Sequence, residues 1–319
     1  MIVRVSAPCR LHFGLLHVPV PGLTHWPDGT PLRPFGGLGL MIDGPFIDVM
    51  IEPAAEWSVT GCLSTRARQF IDKLQSPQPL SVTANGPPEH IGLGVGTALG
   101  LAVAHAIAII NGESKPAVQK LAKQTGRGER SRIGLAGFQS GGFIVDLGHA
   151  DNDILPQCLP FPEDWRVVVM TPPIPTRWHG DRERRAFQSN RTADEALETT
   201  TRLTRLIDDS ILPALQARQF HKFAPALHNY NRIAGEHFAD VQGGIYSDPT
   251  IAELIEFLCI EGYDGVGQSS WGPSVFVLCE SQRDAERLFE WLKRKHPTIE
   301  ILGLSNAAES GVSVEITES

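Results

Sequence analysis

The sequence predicts an α+β fold in two domains, residues 1–160 and 161–319. Three observations carry this reading. The first third holds short apolar or alternating runs bounded by Gly and Pro, the pattern of strands. A glycine-rich loop then feeds a long apolar stretch of helical character. The last third alternates helix and strand, the rhythm of an antiparallel sheet with helices on one face.

In chain order, Ile2–Val5, Gly39–Ile42 and Ile47–Ile51 read as strands. Residues 91–112 contain no Asp, Glu, Lys or Arg and are long enough in sequence to span a bilayer. Their first half is a loop with glycine at every second position, and His105 interrupts the remainder. The helical part, Thr97–Ile110, would extend about 20 Å, too short to cross, so no membrane span is expected. A segment rich in Arg and Gly leads to a strand at Gly142–Leu147. Gly148–Asp164, rich in Pro, Asp and Asn, reads as the linker, and Arg166–Met170 starts afresh as a buried strand. Thr192 followed by Glu195 is a capping box opening helices that run to about Leu227. Ile251, Leu254, Ile255 and Leu258 mark an amphipathic helix, which leads to a strand at Ser274–Leu278. Ser281 and Asp284 then cap a second helix with the same spacing at Ala285, Leu288, Phe289 and Leu292. Strands Glu300–Leu302 and Val312–Ile316 close the layer.

With 319 residues, 42% hydrophobic and 20% charged, the chain has ample material for a core without metal or disulfide staples. The 31 glycines and 24 prolines signal many turns and backbone-lined loops. A net charge of -8 argues against nucleic acid as a partner, because neutralising phosphates needs a basic face. The five cysteines are odd in number and include no CxxC, so reduced thiols in a cytoplasm are expected.

Several segments could carry chemistry. His90-Ile-Gly-Leu-Gly-Val-Gly-Thr97 runs into a helix. Gly92, Gly94 and Gly96, with Val95 and Thr97, could present backbone N–H groups and a helix N-terminus to a phosphate; close loop packing is the alternative. The loop matches neither a Walker A nor a GxGxxG pattern. Two basic clusters stand out on an acidic chain: Lys123–Arg132, with Arg127, Arg130, Ser131 and Arg132, and Arg177–Arg191, which includes His179. Each is either a solvated face or a site for a small polyanion. In Gly265–Pro273, Gly267, Gln268, Ser269, Ser270 and Trp271 form a turn too rich in polar groups and indole for a plain connection. Arg10 and His12 alternate with Leu11 and Phe13, so both polar side chains share one face of a strand. Asp146, ending an apolar run, is a turn residue or a magnesium ligand.

Together these segments resemble the GHMP kinase superfamily, and within it the beta-ribofuranosylaminobenzene 5'-phosphate synthase branch. The residues carrying the likeness are Arg10–Leu16, Gly92–Thr97, Arg127–Gly134, Gly141–Asp146 and Gly267–Pro273. The resemblance implies a ribosomal-S5-like N-terminal domain and a ferredoxin-like C-terminal domain. Two kinase elements differ here. Val95 and Gly96 stand where the kinases carry a Ser-Ser pair, and Ser131-Arg-Ile-Gly134 lacks the aspartate of the kinase Ser-Gly-Ile-Asp element.

What the branch implies is a decarboxylating C-glycosyl transfer. 5-Phosphoribosyl diphosphate is joined to 4-hydroxybenzoate or 4-aminobenzoate, with release of carbon dioxide and diphosphate, as the first committed step towards a methanopterin-type cofactor. Expected partners are those two small molecules, magnesium is the expected cofactor with no requirement for ATP, and a homodimer is the expected assembly. The glycine loop and Arg127, Arg130, Ser131 and Arg132 would hold the diphosphate, with Asp146 on the metal. Arg10 joins the catalytic group, and His12 or His179 would accept the phenol proton. Trp271 or Phe13 would stack on the ring. The competing reading is an ATP-dependent kinase of a sugar or other small alcohol.

Overall fold

The computed structural model describes residues 1–18, 20, 24, 25, 29–74, 76, 78–148, 155–174 and 192–318. Its first sheet is organised on two long antiparallel strands, β1 (Ile2–Leu15) and β2 (Gly37–Pro53). The two short runs expected at Gly39–Ile42 and Ile47–Ile51 are one strand. The ladder skips from Pro8↔Phe46 to Cys9↔Ile42, leaving residues 43–45 as a bulge between them. Length lets β2 serve further neighbours. Its end pairs with β4 (Leu80–Asn85), flanked by β3 (Ser58–Thr60), and its start pairs with β5 (Phe143–Asp146), flanked by β6 (Gln157–Leu159). The stretch expected as linker therefore contributes an edge strand.

Helix α1 (Ser64–Leu74) precedes β4, and α2 (Val95–Ile110), α3 (Val118–Thr125) and α4 (Ile133–Ser140) follow it. Helix α2 starts two residues earlier than expected, because Gly94 turns the chain in at a φ of 71°. It is apolar on nearly every side because it is buried between the β1–β2 pair and helices α1, α3 and α4. Among the described residues no helix is long and apolar enough to cross a membrane.

The second sheet has the order β10-β7-β9-β8, all antiparallel: β7 (Arg166–Thr171), β8 (Val266–Gln268), β9 (Val275–Cys279) and β10 (Glu300–Ser305). Between β7 and β8 come α5 (Ala193–Leu206), one π-helical turn (Ile207–Ile211), α6 (Leu212–Gln216), α7 (Phe220–Glu236), α8 (Ala239–Gln242) and α9 (Pro249–Ile260). The capping box at α5 is formed in both directions: Glu195 N–H donates to Thr192 Oγ1 and Thr192 N–H to Glu195 Oε2. One face of the sheet, with Val168, Met170, Val275 and Val277, packs on α9 and on α10 (Gln282–Lys295). Its other face is covered as well. Val167, Val169, Phe276 and Leu278 share a core with Phe223 and Leu227 of α7 and with the first sheet. The last strand, β11 (Ser313–Thr317), leaves this layer and runs antiparallel to β1, Ile2 opposite Thr317. Its partner lies some 300 residues away, and local alternation carries no information on such a pairing.

Hydrogen bonds lock the two sheets at one junction. Asn231 on α7 donates through Nδ2 to Phe13 O (2.8 Å) and Gln268 O (2.9 Å), and its Oδ1 accepts Gln268 N–H. Ser269 is fully buried; its Oγ accepts His12 N–H at 3.0 Å and donates to Gly92 O at 2.8 Å. Ser270 N–H donates to His12 O, and Ser274 N–H to Ile91 O. At Gly92 (φ +92°) a Cβ would lie 2.3 Å from Ser269 O, so only glycine allows this approach.

Two outcomes follow. Ser269→Ala takes away the partner of the buried His12 N–H and of the part-buried Gly92 carbonyl and should cost about 1–3 kcal/mol, read as a lowered thermal midpoint; an unchanged midpoint would mean the junction is held by other contacts. His17 is buried, with Nε2 3.1 Å from Leu147 O and Nδ1 3.4 Å from Thr200 Oγ1. Burial, partly opposed by the Leu147 bond, lowers its pKa to about 4. The unfolded chain protonates near 6.5, before the folded one, so stability is retained above that pH and lost as pH falls towards 4, by about 3 kcal/mol in all. His17→Gln should flatten the pH dependence of denaturant unfolding in that window, and an equally steep profile would discount His17.

Candidate active site

A cleft of about 240 Å³ opens where the glycine-loop helix, the basic segment, β1, α7 and the turn after β8 meet. Of the residues expected to form a site, it gathers Arg10, His12, Thr97, Arg127, Arg130, Ser131, Gln268, Ser270 and Trp271 in its lining.

One end is cationic. The Arg10 side chain runs past the first turn of α2: a Cβ on Gly94 would lie 2.7 Å from Arg10 Cγ, and one on Gly134 would lie 3.3 Å from Arg10 Nε. The Arg127 guanidinium flanks the same turn, within 3.6 Å of a Cβ built on Gly96. Two guanidinium groups thus converge on a helix N-terminus that is itself partially positive. Burial lowers the Arg127 pKa to about 10, with Arg66 adding to the drop and Glu89 opposing it; the group stays charged near neutrality. Its plane lies over Phe70, 4.9 Å from the ring centroid. Guanidinium groups gathered at a helix N-terminus favour an anion beside them.

Part of the lining is aromatic. Trp271 meets Phe238 edge to face at 4.8 Å, with Phe35 and Tyr246 also in the lining. Burial raises the Tyr246 pKa to about 12, which keeps its hydroxyl protonated as a donor.

His12 also reaches the lining. Its pKa falls well below the ordinary value, first by burial and then by the charge of Arg10. Gly14 N–H donates to its Nδ1 at 3.2 Å, which leaves the proton of the neutral ring on Nε2. The ring is therefore a hydrogen-bond donor, not the proton acceptor expected from the sequence.

Other expected residues stand outside the cleft. Phe13 is a core side chain between Phe143 (6.0 Å) and Phe276 (5.0 Å), too enclosed to stack on a ligand. Gly92 and Ser269 are committed to the junction, and Gly267 packs against Asn231 and Phe276. Val95 is buried, while Gly94 and Gly96 make room for the arginine side chains. Gln268 reaches the lining, yet its amide is held by Ser247 and by Gly272 O. Arg132 is buried outside the lining and starts α4. His179 lies outside the described residues.

Asp146 does not suit the role of metal ligand. It is buried at the end of β5, where Arg33 Nη2 lies 2.5 Å from Oδ1 and the Gly148 and Arg132 N–H groups also point at the carboxylate. A cation there would have to displace an arginine. Among the described residues no three His, Cys, Asp or Glu side chains are grouped to hold a metal ion.

The sequence reading missed Glu129, Phe238, Gln242 and Tyr246, all in the lining. It missed Asn231 too, although an Asn beside Leu227, Tyr230 and Ala234 on a buried helix face was a readable signal.

Comparison with known proteins bears on these features together. Residues 211–298 match the domain family described as GHMP kinases C terminal. The beta-ribofuranosylphenol 5'-phosphate synthase of Methanothermobacter thermautotrophicus is 28% identical over 308 residues, covering 87% of this chain and 89% of that protein. The protein of the same name from Archaeoglobus fulgidus is 28% identical over 300 residues, covering 88% of each. Among solved structures, homoserine kinase from Cytophaga hutchinsonii superposes with a TM-score of 0.64 at 16% identity, over 98% of this chain and 97% of that one. Mevalonate diphosphate decarboxylase from Enterococcus faecalis gives 0.67 at 14% identity over 99% of both. These structures are alike in fold. With relatives of one name aligned along most of its length, the chain is similar to the beta-ribofuranosylphenol 5'-phosphate synthases, enzymes that transfer a pentose group, and in residues 211–298 to the family described as GHMP kinases C terminal.

Proposed function

We propose that this enzyme joins 5-phosphoribosyl diphosphate to 4-hydroxybenzoate or 4-aminobenzoate, releasing carbon dioxide and diphosphate, on the route to a methanopterin-type cofactor. The observation that carries the reading is a single cleft whose lining holds both the arginines beside a helix N-terminus and the aromatic pair Trp271 and Phe238. A phosphorylated sugar donor and a flat aromatic acceptor need those two surfaces side by side.

In this reading Arg10, Arg127 and Arg130, with the first turn of α2 and the Thr97 hydroxyl, take up the charge that builds on the departing diphosphate. The ring carbon bearing the carboxylate attacks the anomeric carbon as the bond to diphosphate breaks. The carbon–carboxylate bond then breaks, carbon dioxide leaves, and its electron pair restores the aromatic ring. Because His12 already carries a proton on Nε2, the proton lost from the para hydroxyl during attack goes to Glu129, the carboxylate in the lining, and returns to the phenolate oxygen once the ring is restored. His12 instead donates to substrate oxygen. Magnesium enters on the diphosphate of the donor, as this ion commonly does with phosphate substrates. A cytoplasmic setting is consistent with five cysteines that are all free thiols.

The test mixes purified protein with 5-phosphoribosyl diphosphate and carboxyl-labelled 4-hydroxybenzoate in the absence of ATP. Labelled carbon dioxide and diphosphate in equal amounts are expected; phosphorylation of an alcohol by ATP with no label released would overturn the reading. Arg130→Ala should raise KM for the diphosphate donor about tenfold and leave that for the benzoate near wild type. Equal losses for both substrates would remove Arg130 from the donor site.

A further inference from the structure

We infer that the buried Arg33–Asp146 pair is a positioning device for the cationic edge of the cleft, fixing where Arg130 and Ser131 stand when an anion binds. The geometry closes on itself. Asp146 Oδ1 accepts from Arg33 Nη2 (2.5 Å) and from Gly148 N–H (3.1 Å), and Oδ2 accepts from Arg132 N–H (3.4 Å). The other arm of Arg33, Nη1, donates to Arg130 O at 3.0 Å and to Pro34 O at 3.1 Å. Its backbone N–H donates to Gly148 O at 2.9 Å. One carboxylate therefore holds the basic segment at two backbone points, Arg132 directly and Arg130 through the guanidinium. Ser131 lies between them, and Arg130 and Ser131 both line the cleft.

The pair itself faces a separate recess beside Val145, Leu155 and Gln157 and has no place in the cleft lining, so it acts through the segment and not on a substrate. Its side chains are only 12% and 4% exposed. Burying two charges is expensive, and an apolar pair of equal volume generally supports a fold as well. What an apolar pair cannot do is grip a carbonyl and a carboxylate at once from a planar fork. The segment runs through Gly126 and Gly128, both at positive φ, and has backbone freedom that such a grip would remove.

The inference rests on the proposed donor site, and inorganic diphosphate is used as the probe so that position is read apart from turnover. Arg33→Lys keeps a charge opposite Asp146 and loses the fork. Calorimetric binding of diphosphate would be compared for wild type, Arg33→Lys, Arg130→Ala and the double variant, with thermal midpoints alongside. The expected result is binding weakened about tenfold in Arg33→Lys at a near-native midpoint, with the double variant no weaker than Arg130→Ala alone. Wild-type affinity in Arg33→Lys, summed losses in the double variant, or no diphosphate binding by wild type would each overturn the inference. Should Arg33→Lys not fold, Asp146→Asn, which keeps size and an acceptor oxygen, goes through the same cycle under the same criteria. If the binding pattern holds while no carbon dioxide is released, the proposed reaction fails and the positioning role stands.

Discussion

The cleft depends on the contact between the turn after β8 and the glycine loop before α2. Neither sheet builds an anion site alone. The first supplies the helix N-terminus, Arg10 and the basic segment, and the second supplies Trp271 and Ser270. Ser269 joins them through His12 N–H and Gly92 O, and Asn231 repeats the link between Phe13 and Gln268. The bonds to His12 N–H, Phe13 O and Gln268 O are buried and the one to Gly92 O is part-buried, so a partner that goes missing leaves a polar group with little access to water. That asymmetry favours an intact junction, which holds the two sides of the cleft together.

The electrostatics follow from the same closeness. Arginines crowded at a helix N-terminus would ordinarily be spread apart by repulsion and hydration. Here Gly94, Gly96 and Gly134 leave room for guanidinium groups against the helix, and the charges of Glu89 and Glu129 offset part of the repulsion on Arg127. His12, desolvated and beside Arg10, stays uncharged and adds no further repulsion.

Much of the architecture was legible from the sequence because the signals are local. The capping box at Thr192, the spacing of Ile251, Leu254, Ile255 and Leu258, and the Ser281 cap each involve residues within a few positions and formed as read. The glycine loop was legible as special, although its glycines serve the approach of Ser269 and of two arginine side chains as well as any ligand. Phe13 and Trp271 could not be told apart in sequence, since an aromatic residue beside polar ones reads alike whether it enters the core or a wall. Asp146 looked available because its partner Arg33 lies 113 residues away.

The sequence by itself determined the helix after the glycine loop, the helices that open at Thr192, Pro249 and Gln282, most strands, the acidic balance and several of the segments that line the cleft, all of which rest on short-range periodicity, turn chemistry and composition. Tertiary structure alone decided that β11 returns to β1, that Asp146 is taken by arginine, that His12 is a donor, and that Phe238 and Tyr246 complete the cleft. Those outcomes depend on groups brought together across long stretches of chain, where burial and pairing set protonation and exposure, and no local pattern encodes them.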